Sequence, residues 1–272
     1  VLESNNVTMG WCNDDYLLSN SRAVEPLFGT MPDYDWICMI ADAMGYGEAF
    51  RAGHKTTEDW ILDLYNTFRE TKETELPPYE QFRENGGYKY KNPPLRIAYR
   101  EQIEKGVPFH TPSGKIEFYS MQIHDLGDPI PPIPRYTPAP EGPDDALREK
   151  YPLQMIGYHT KRRCHSIHDQ NPWLEEVDPP ALWMHPDDAA ARGIANGDMI
   201  EVFNDRGTVR IPAKVTRRIM RGVTCMSQGG WYTPDKNGVD TRGSINVLTT
   251  QRPSPLAKGN PSHTNLVQVE KL

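Results

Sequence analysis

The sequence of 272 residues contains four cysteines, and no two of them form a C-x-x-C pair. The scatter of Cys12, Cys38, Cys164 and Cys225 argues against a disulfide framework, a zinc knuckle or an iron–sulfur motif within these residues. No apolar run approaches the roughly 20 residues that a membrane-spanning helix needs. There is also no initiator Met and no secretory signal, so we expect the back part of a longer polypeptide.

Basic residues are too few for a nucleic-acid-binding protein, since the formal net charge is −7. Residues 1–150 carry 15 Lys and Arg against 25 Asp and Glu, whereas residues 151–272 carry 15 against 12. The acidic first part and mildly basic second part suit a small anionic ligand held by the second part. The length allows one large domain or two small ones with a buried core.

The first part of the chain is predicted to be mainly helical. Residues 33–44 place apolar side chains on one face of a helix, and Gly45 follows as a stop. Residues 57–69 predict a second amphipathic helix, whose first turn contains two acidic residues. Residues 78–84 predict a short third turn of helix.

Two features separate this helical part from the rest. A Pro/Ser/Gly turn precedes residues 115–119, where Ile116 and Phe118 alternate with polar residues and predict a strand. Seven prolines then lie within residues 129–143, too many for a helix or a strand ladder. We therefore predict an extended connector over residues 129–150, between a region of residues 1–128 and a domain of residues 151–272.

The second domain is predicted to be mainly β. A short helix at residues 187–192 is introduced by Pro186 and ended by Gly193. The Asn-Asp-Arg-Gly turn at residues 204–207 predicts a hairpin. Strands are predicted at residues 151–156, 199–203, 209–215, 222–226, 245–248 and 266–269. Short strands with one small helix are typical of a compact β-barrel, so the fold class is α+β.

The most informative stretch, residues 157–166, follows directly on the first of these strands. It offers two aliphatic hydroxyls and one phenol, three fixed cations, two imidazoles and a turning glycine. A loop rich in donors at a strand end suits a phosphate or another polyanion. A solvated basic turn is the alternative on these residues alone.

Other readings of polar clusters are weaker. His159, Cys164, His165 and His168 could bind a metal, but zinc ligation usually needs a second, distant pair. The three consecutive cations at residues 161–163 could contact RNA, but no interleaved aromatics accompany them. The acidic pair at residues 187–188 is better explained by compensation of a helix dipole than by catalysis.

Several motifs in one order resemble a known family. Residues 185–194 (H-P-D-D-A-A-A-R-G-I), 196–198 (N-G-D) and 202–207 (V-F-N-D-R-G) resemble the C-terminal domain of the dimethyl sulfoxide reductase family of molybdopterin oxidoreductases. Residues 111–117 resemble the segment that precedes this domain. Residues 245–265 and 23–26 are also similar to members of the family, so the resemblance covers nearly the whole chain.

The resemblance implies a six-stranded double-psi β-barrel that binds molybdopterin guanine dinucleotide. Phosphates, riboses and guanine edges need cations, amides and open backbone N–H groups. Trp231 lies in a segment that approaches the active-site funnel in the family, although packing explains it equally well. The candidate cofactor-binding residues are Tyr158, His159, Thr160, Arg163, Ser166, Trp231, Asn246, Gly259, Asn260 and His263.

The family also implies parts that are not identifiable here. Members carry a cysteine cluster for a [4Fe–4S] centre and a protein ligand to molybdenum, so no catalytic or metal-binding residue is assigned. The expected reaction is oxygen-atom transfer from S-oxides or N-oxides, for which this part alone is expected to be inactive. An iron–sulfur electron-transfer subunit, a membrane anchor and the periplasmic face of the bacterial inner membrane are further implications. The alternative function is a non-catalytic barrel that binds a nucleotide or a partner protein.

Overall fold

The computed structural model describes residues 3–9, 14–72, 75–91, 95, 97–127, 130–260 and 264–272. The chain divides into two compact units, Val1–Phe109 and His110–Leu272. No helix among the described residues is long and apolar enough to cross a membrane. Helices and strands occur in both units, which confirms the predicted α+β class.

In its described residues, the first unit combines a small antiparallel sheet with five helices. The sheet has the order β1-β2-β3. Its strands are β1 (Asn6–Met9), β2 (Tyr16–Asn20) and β3 (Gly87–Lys89). The helices are α1 (Asp33–Ala43), α2 (Gly47–Arg51), α3 (Thr57–Thr71), α4 (Tyr79–Glu84) and α5 (Arg100–Lys105).

The three helices predicted in this unit are confirmed as α1, α3 and α4. Helix α3 begins with a capping box, in which Thr56 Oγ1 accepts the Asp59 N–H at 3.2 Å and Asp59 accepts the Thr56 N–H at 2.9 Å. Its buried face joins the sheet and α4 in one core. That core consists of Leu17, Tyr65, Leu76, Tyr79 and Phe82.

The second unit contains a closed β-barrel with short helices around it. The strands are β4 (Leu153–Tyr158), β5 (Leu182–Met184), β6 (Met199–Asn204), β7 (Gly207–Val215), β8 (Val223–Ser227) and β9 (Asn265–Lys271). The helices are α6 (Met121–Leu126), α7 (Pro172–Val177) and α8 (Pro186–Ala190), and two 3-10 helices lie at Ala146–Glu149 and Ile245–Val247.

The barrel closes in the order β4-β8-β5-β7-β6-β9 and confirms the predicted six-stranded barrel. It is mixed: β4 runs parallel to β8 and antiparallel to β9, and β5 runs parallel to β7. Strands β6 and β7 form the predicted hairpin. Alternate strand residues fill the interior, and the fully buried members include Met155, Leu182, Met184, Ile200, Val202, Val209 and Val267.

Two predicted strands were wrong. Residues 115–119 contain no strand, and Ile116 and Phe118 are 64% and 77% exposed, so alternation was not accompanied by burial or pairing. The Thr111 hydroxyl instead donates to the Lys115 carbonyl at 2.7 Å and closes a turn. Residues 245–247 form a 3-10 helix, because a short apolar run does not distinguish a strand from one turn of helix.

The proline-rich segment is less extended than predicted toward its end. It contains the 3-10 helix Ala146–Glu149, and the side chain of Glu141 is buried. Glu141 accepts two hydrogen bonds from Arg206, both at 2.8 Å, and one from the Leu266 N–H at 2.9 Å. This segment is therefore attached to the barrel. The predicted domain boundaries stay a prediction.

Candidate functional site

Several strand ends meet at one end of the barrel, here called the loop end. Strands β4 and β8 run parallel and both finish there, with Tyr158 opposite Ser227. The β6–β7 hairpin turns at the same end, and β9 begins there, since Asn204 Nδ2 donates to the Leu266 carbonyl at 3.2 Å. The loops that follow these strands carry nearly all of the candidate residues.

The 3-10 helix Ile245–Val247 is held at the loop end by two close approaches. A side chain at Gly157 would meet Ile245 Cδ1 at 3.1 Å, and one at Gly207 would overlap the side chain of Val247. Ile245 is buried, whereas Asn246 is exposed. The predicted strand over residues 245–248 would have put Asn246 and Leu248 on one face, but the helical turn leaves Asn246 exposed and Leu248 buried.

Asn246 lines two adjoining clefts, here called together the tail cleft. One has a volume of about 370 Å³ and the other about 590 Å³. The lining of the two is polar and contains the predicted residues Asn246, Gly259 and Asn260. The other lining residues are Arg206, Gly207, Tyr232, Gly238, Val247, Thr249, Thr250, Gln251, Arg252, Pro253 and Lys258. The candidate His263 lies outside the described residues.

The second group of candidates lies in the last residue of β4 and the loop after it, residues 158–169, here called the β4 loop. The rings of His159 and His165 are 4.9 Å apart, and both residues are exposed. Thr160 is buried, and its Oγ1 accepts the N–H groups of Arg162 and Arg163, each at 3.2 Å. The hydroxyl of Thr160 therefore shapes the loop from within.

Tyr158 stands at the start of the β4 loop with its ring 5.4 Å from that of Trp183. Burial first, and then the nearby Asp178 carboxylate, raise the pKa of the Tyr158 phenol above its usual value. The phenol is therefore protonated at neutral pH and available as a hydrogen-bond donor.

Arg163 is placed differently from the expectation of a phosphate-binding cation. Its side chain is 1% exposed. One Nη donates to Asp169 and the other donates to Ser227 Oγ at 2.5 Å. Because its guanidinium is bound inside the protein, the expected direct contact of Arg163 with a phosphate is not supported. Lys161 is an exposed cation of the same loop.

Asp169, which sequence reasoning missed, is the centre of these contacts. Its carboxylate is fully buried and also accepts the Trp231 N–H at 3.0 Å and Arg242 Nε–H at 2.7 Å. Burial opposes ionisation, but the Trp231 amide and the guanidiniums of Arg242 and Arg163 outweigh it and hold the pKa of Asp169 below its usual value. No local motif distinguishes this residue, since Arg242 lies 73 positions further along the chain.

Trp231 and Ser166 meet through the same network. The indole Nε1–H of Trp231 donates to the Ser166 carbonyl at 2.9 Å, although about half of Trp231 is exposed. Trp231 therefore fastens the β4 loop and does not fill the barrel core. Among the described residues, no group of three or more His, Cys, Asp and Glu side chains is arranged to hold a metal ion.

The thiols in this unit differ in environment, which gives a direct test of the β4 loop. Cys164 is exposed, whereas Cys225 is buried and its pKa is raised to about 11 by burial. At pH 8 we expect Cys164→Ser to remove one rapidly modified thiol from the folded chain and Cys225→Ser to remove none. Reaction with a chromogenic disulfide reagent checks this, and equal loss in both variants would contradict the structure.

Comparison with known proteins assigns the class of the barrel. Residues 153–266 match the family described as "Molydopterin dinucleotide binding domain". Its relatives in sequence are dimethyl sulfoxide reductases, and residues 153–266 are assigned to a domain of the matched kind. The chain is 45% identical over 271 residues to dimethyl sulfoxide reductase DmsA of Haemophilus influenzae. The aligned region covers 96% of this chain and 33% of that protein. The same identity and coverage hold for DmsA of Escherichia coli K12.

More distant proteins share the same region. Dimethyl sulfoxide/trimethylamine N-oxide reductase of Rhodobacter capsulatus is 34% identical over 281 residues, which cover 97% of this chain and 34% of that protein. In structure, the chain is similar to acetylene hydratase from Pelobacter acetylenicus, with a TM-score of 0.71 at 23% identity, over 100% of this chain and 37% of that protein. The structural similarity concerns the fold alone. The chain spans about a third of the length of the curated relatives it matches.

Proposed function

We propose that the protein to which this chain belongs reduces S-oxides or N-oxides by oxygen-atom transfer, and that the loop end of the barrel binds the guanine dinucleotide part of its molybdopterin cofactor. The observation that carries the proposal is the polar tail cleft, whose lining residues all lie within the matched residues 153–266. The names of the relatives supply the substrate class, because they include dimethyl sulfoxide and trimethylamine N-oxide reductases.

The donor set of the tail cleft fits such a ligand. Arg252 and Lys258 offer positive charge for phosphate oxygens. The side chains of Asn246, Gln251 and Asn260 each combine a donor and an acceptor, as a guanine edge requires. The volumes of about 370 and 590 Å³ lie in the range of small-molecule sites.

Gly259 has a narrower role than expected. Its N–H donates to Ser254 Oγ at 2.9 Å, so this amide is already used within the tail. A side chain there would lie 3.6 Å from the same Oγ, which is an ordinary contact. We propose that Gly259 leaves the edge of the cleft between Lys258 and Asn260 free of a side chain. We also propose that its amide does not donate to a phosphate.

The β4 loop supplies the remaining candidate contacts. Tyr158 can donate its phenolic hydrogen, His159 offers an exposed imidazole, and Lys161 offers an exposed cation. We propose that Thr160, Arg163 and Ser166 act by shaping this loop. When bound, the cofactor supplies the molybdenum redox chemistry, while these residues bind it, orient it and exclude water.

Further features of the whole protein are proposed on the resemblance alone. They are the guanine form of the dinucleotide, a [4Fe–4S] centre, an iron–sulfur electron-transfer subunit, a membrane anchor subunit and a position at the periplasmic face of the bacterial inner membrane. Metal, iron and nucleotide analysis of the full-length protein, together with its purification from membranes, tests them directly.

Lys258 gives the sharpest single test of the tail cleft. In the full-length protein, we expect Lys258→Ala to lower the bound guanine nucleotide per protein at least about twofold at unchanged thermal stability, because an exposed lysine contributes little to folding. Acid release of the nucleotide and chromatography measure it. Lys236→Ala, an exposed lysine that does not line the cleft, is the matched control.

Asn246→Leu provides a second variant of the same cleft. Since Asn246 is exposed, the substitution should leave the barrel folded while removing a donor and an acceptor. Equal nucleotide content in Lys258→Ala, Asn246→Leu and the wild-type protein would contradict the assignment of the tail cleft.

A further inference from the structure

The β4 loop contains two residues in an unfavourable backbone conformation. His165 has φ 52° and His168 has φ 72°, in the left-handed region that residues with a side chain rarely occupy. Such residues persist only where the surrounding structure holds them, and they cluster at functional sites.

The segment of residues 227–243 contacts the loop at several points. Ser227 binds Arg163, Trp231 binds Ser166 and Asp169, and Arg242 binds Asp169. The absence of a side chain at Gly229 is required as well, because a Cβ there would overlap the carbonyl oxygen of His165. Two of these contacts, from the Trp231 N–H and from Arg242, end on the Asp169 carboxylate.

That carboxylate joins three guanidiniums. Arg163 and Arg242 donate to its oxygens, Arg162 lies 3.4 Å away, and Arg242 also donates to the Asp169 carbonyl at 2.6 Å and to Glu175 at 2.8 Å. Arg162 and Arg163 are themselves loop residues, and Asp169 directly follows the strained His168. The charge of Asp169 thus fixes both ends of residues 162–169.

We propose that Asp169 is a positioning residue, which holds the β4 loop in its strained conformation and so presents His159, Lys161 and His165 to the cofactor. This inference rests on the proposed function of the loop end. It assigns to Asp169 no contact with the cofactor, because its side chain is fully buried. It also explains why three arginines surround one carboxylate next to a loop that would otherwise relax.

The test measures loop order separately from cofactor content. In the full-length protein, hydrogen exchange of the Arg162, Arg163 and Trp231 amides should become about tenfold faster in Asp169→Asn. Exchange in β6 and β7 should stay unchanged, because the barrel core does not include the β4 loop. In the full-length protein, the same variant should lose bound guanine nucleotide on dialysis faster than the wild type.

A milder variant covers the case in which Asp169→Asn does not fold. Trp231→Phe removes the indole donor to Ser166 from a side chain that is 47% exposed, and it should speed exchange in the β4 loop about threefold. Trp173→Phe, on exposed α7, is the matched control and should change neither the exchange nor the nucleotide content.

The outcomes separate the two proposals. Faster exchange in the loop and in the barrel together would make Asp169 a general stability residue and overturn the inference. Faster loop exchange with unchanged nucleotide retention would overturn its positioning role. Absence of guanine nucleotide from the wild-type full-length protein would overturn the proposed function, while the exchange result would still decide whether Asp169 holds the loop.

Discussion

Asp240→Ala is expected to lower the free energy of unfolding of the barrel by about 4 kcal/mol, an effect at the upper end for a single substitution. The carboxylate of Asp240 is fully buried. Its oxygens accept the N–H groups of Thr233 at 2.8 Å, Gly243 at 2.7 Å and Ser244 at 2.7 Å, and that of Arg242 at 3.3 Å. Alanine would leave these buried donors without an acceptor, at a cost of about 1–3 kcal/mol for each fully buried one.

Asp235→Ala is the matched control for this prediction. Asp235 lies in the same loop and accepts the N–H groups of Asn237 and Val239 at 2.8 and 3.0 Å, but its side chain is 24% exposed. Water can replace the lost acceptor, so the expected cost is about 1 kcal/mol. The slowest-exchanging amides of β6 and β7 report the opening free energy of the barrel in both variants. Similar losses in the two variants would show that burial does not set the cost at Asp240.

Strong local signals explain the parts of the fold that were predictable. The hairpin of β6 and β7 follows from two alternating runs and a four-residue turn, in which Asn204 Oδ1 accepts the Arg206 N–H at 3.0 Å. Helix α8 follows from Pro186 at its first position, after a His185 ring nitrogen that accepts the Asp187 N–H at 3.2 Å. Each signal and its structural consequence lie within a few residues.

The errors arose where the local pattern fits more than one conformation. The run Ile245–Leu248 is apolar at three of four positions, and that composition fits either a strand or one turn of helix. Gly157 lies close to Ile245, and Gly207 lies close to Val247. These contacts between residues distant in sequence accompany the helical turn, and the local pattern does not contain them. Residues 115–119 alternate like a strand, but alternation predicts a strand only where another strand is present to pair.

The candidate site was predictable as a set of loops but not in its internal contacts. Asn246, Gly259 and Asn260 were predicted together and lie together in the tail cleft. Arginine is a residue type that often binds phosphate, but the guanidinium of Arg163 donates to the buried Asp169 carboxylate instead. A charge that binds a ligand and a charge that organises a loop have the same sequence signature, and the burial of their partners distinguishes them.

Glu141→Ala is expected to lower the free energy of unfolding of the barrel by about 2–3 kcal/mol, because it removes one partner of a largely buried ion pair. The Glu141 side chain is 5% exposed, binds Arg206 through both oxygens and accepts the Leu266 N–H. The cost is below the full value for a buried pair, since Arg206 is 31% exposed and keeps its bond to the Leu248 carbonyl at 2.9 Å. Faster hydrogen exchange at the Leu266 amide measures the loss of this contact.

Glu201→Ala provides the comparison that isolates burial. Glu201 binds Arg210 at 2.7 Å, a distance close to that of the Glu141–Arg206 pair. The side chains of Glu201 and Arg210 are, however, each 31% exposed. An exposed pair of this kind contributes about 0.2–1 kcal/mol, so the loss should be several times smaller than for Glu141→Ala. Because Arg206 lines the tail cleft, only Glu141→Ala should also lower retention of the guanine nucleotide in the full-length protein. Equal stability losses with equal retention would mean that the proline-rich segment does not support the cleft and that Glu141 contributes only an ordinary surface charge.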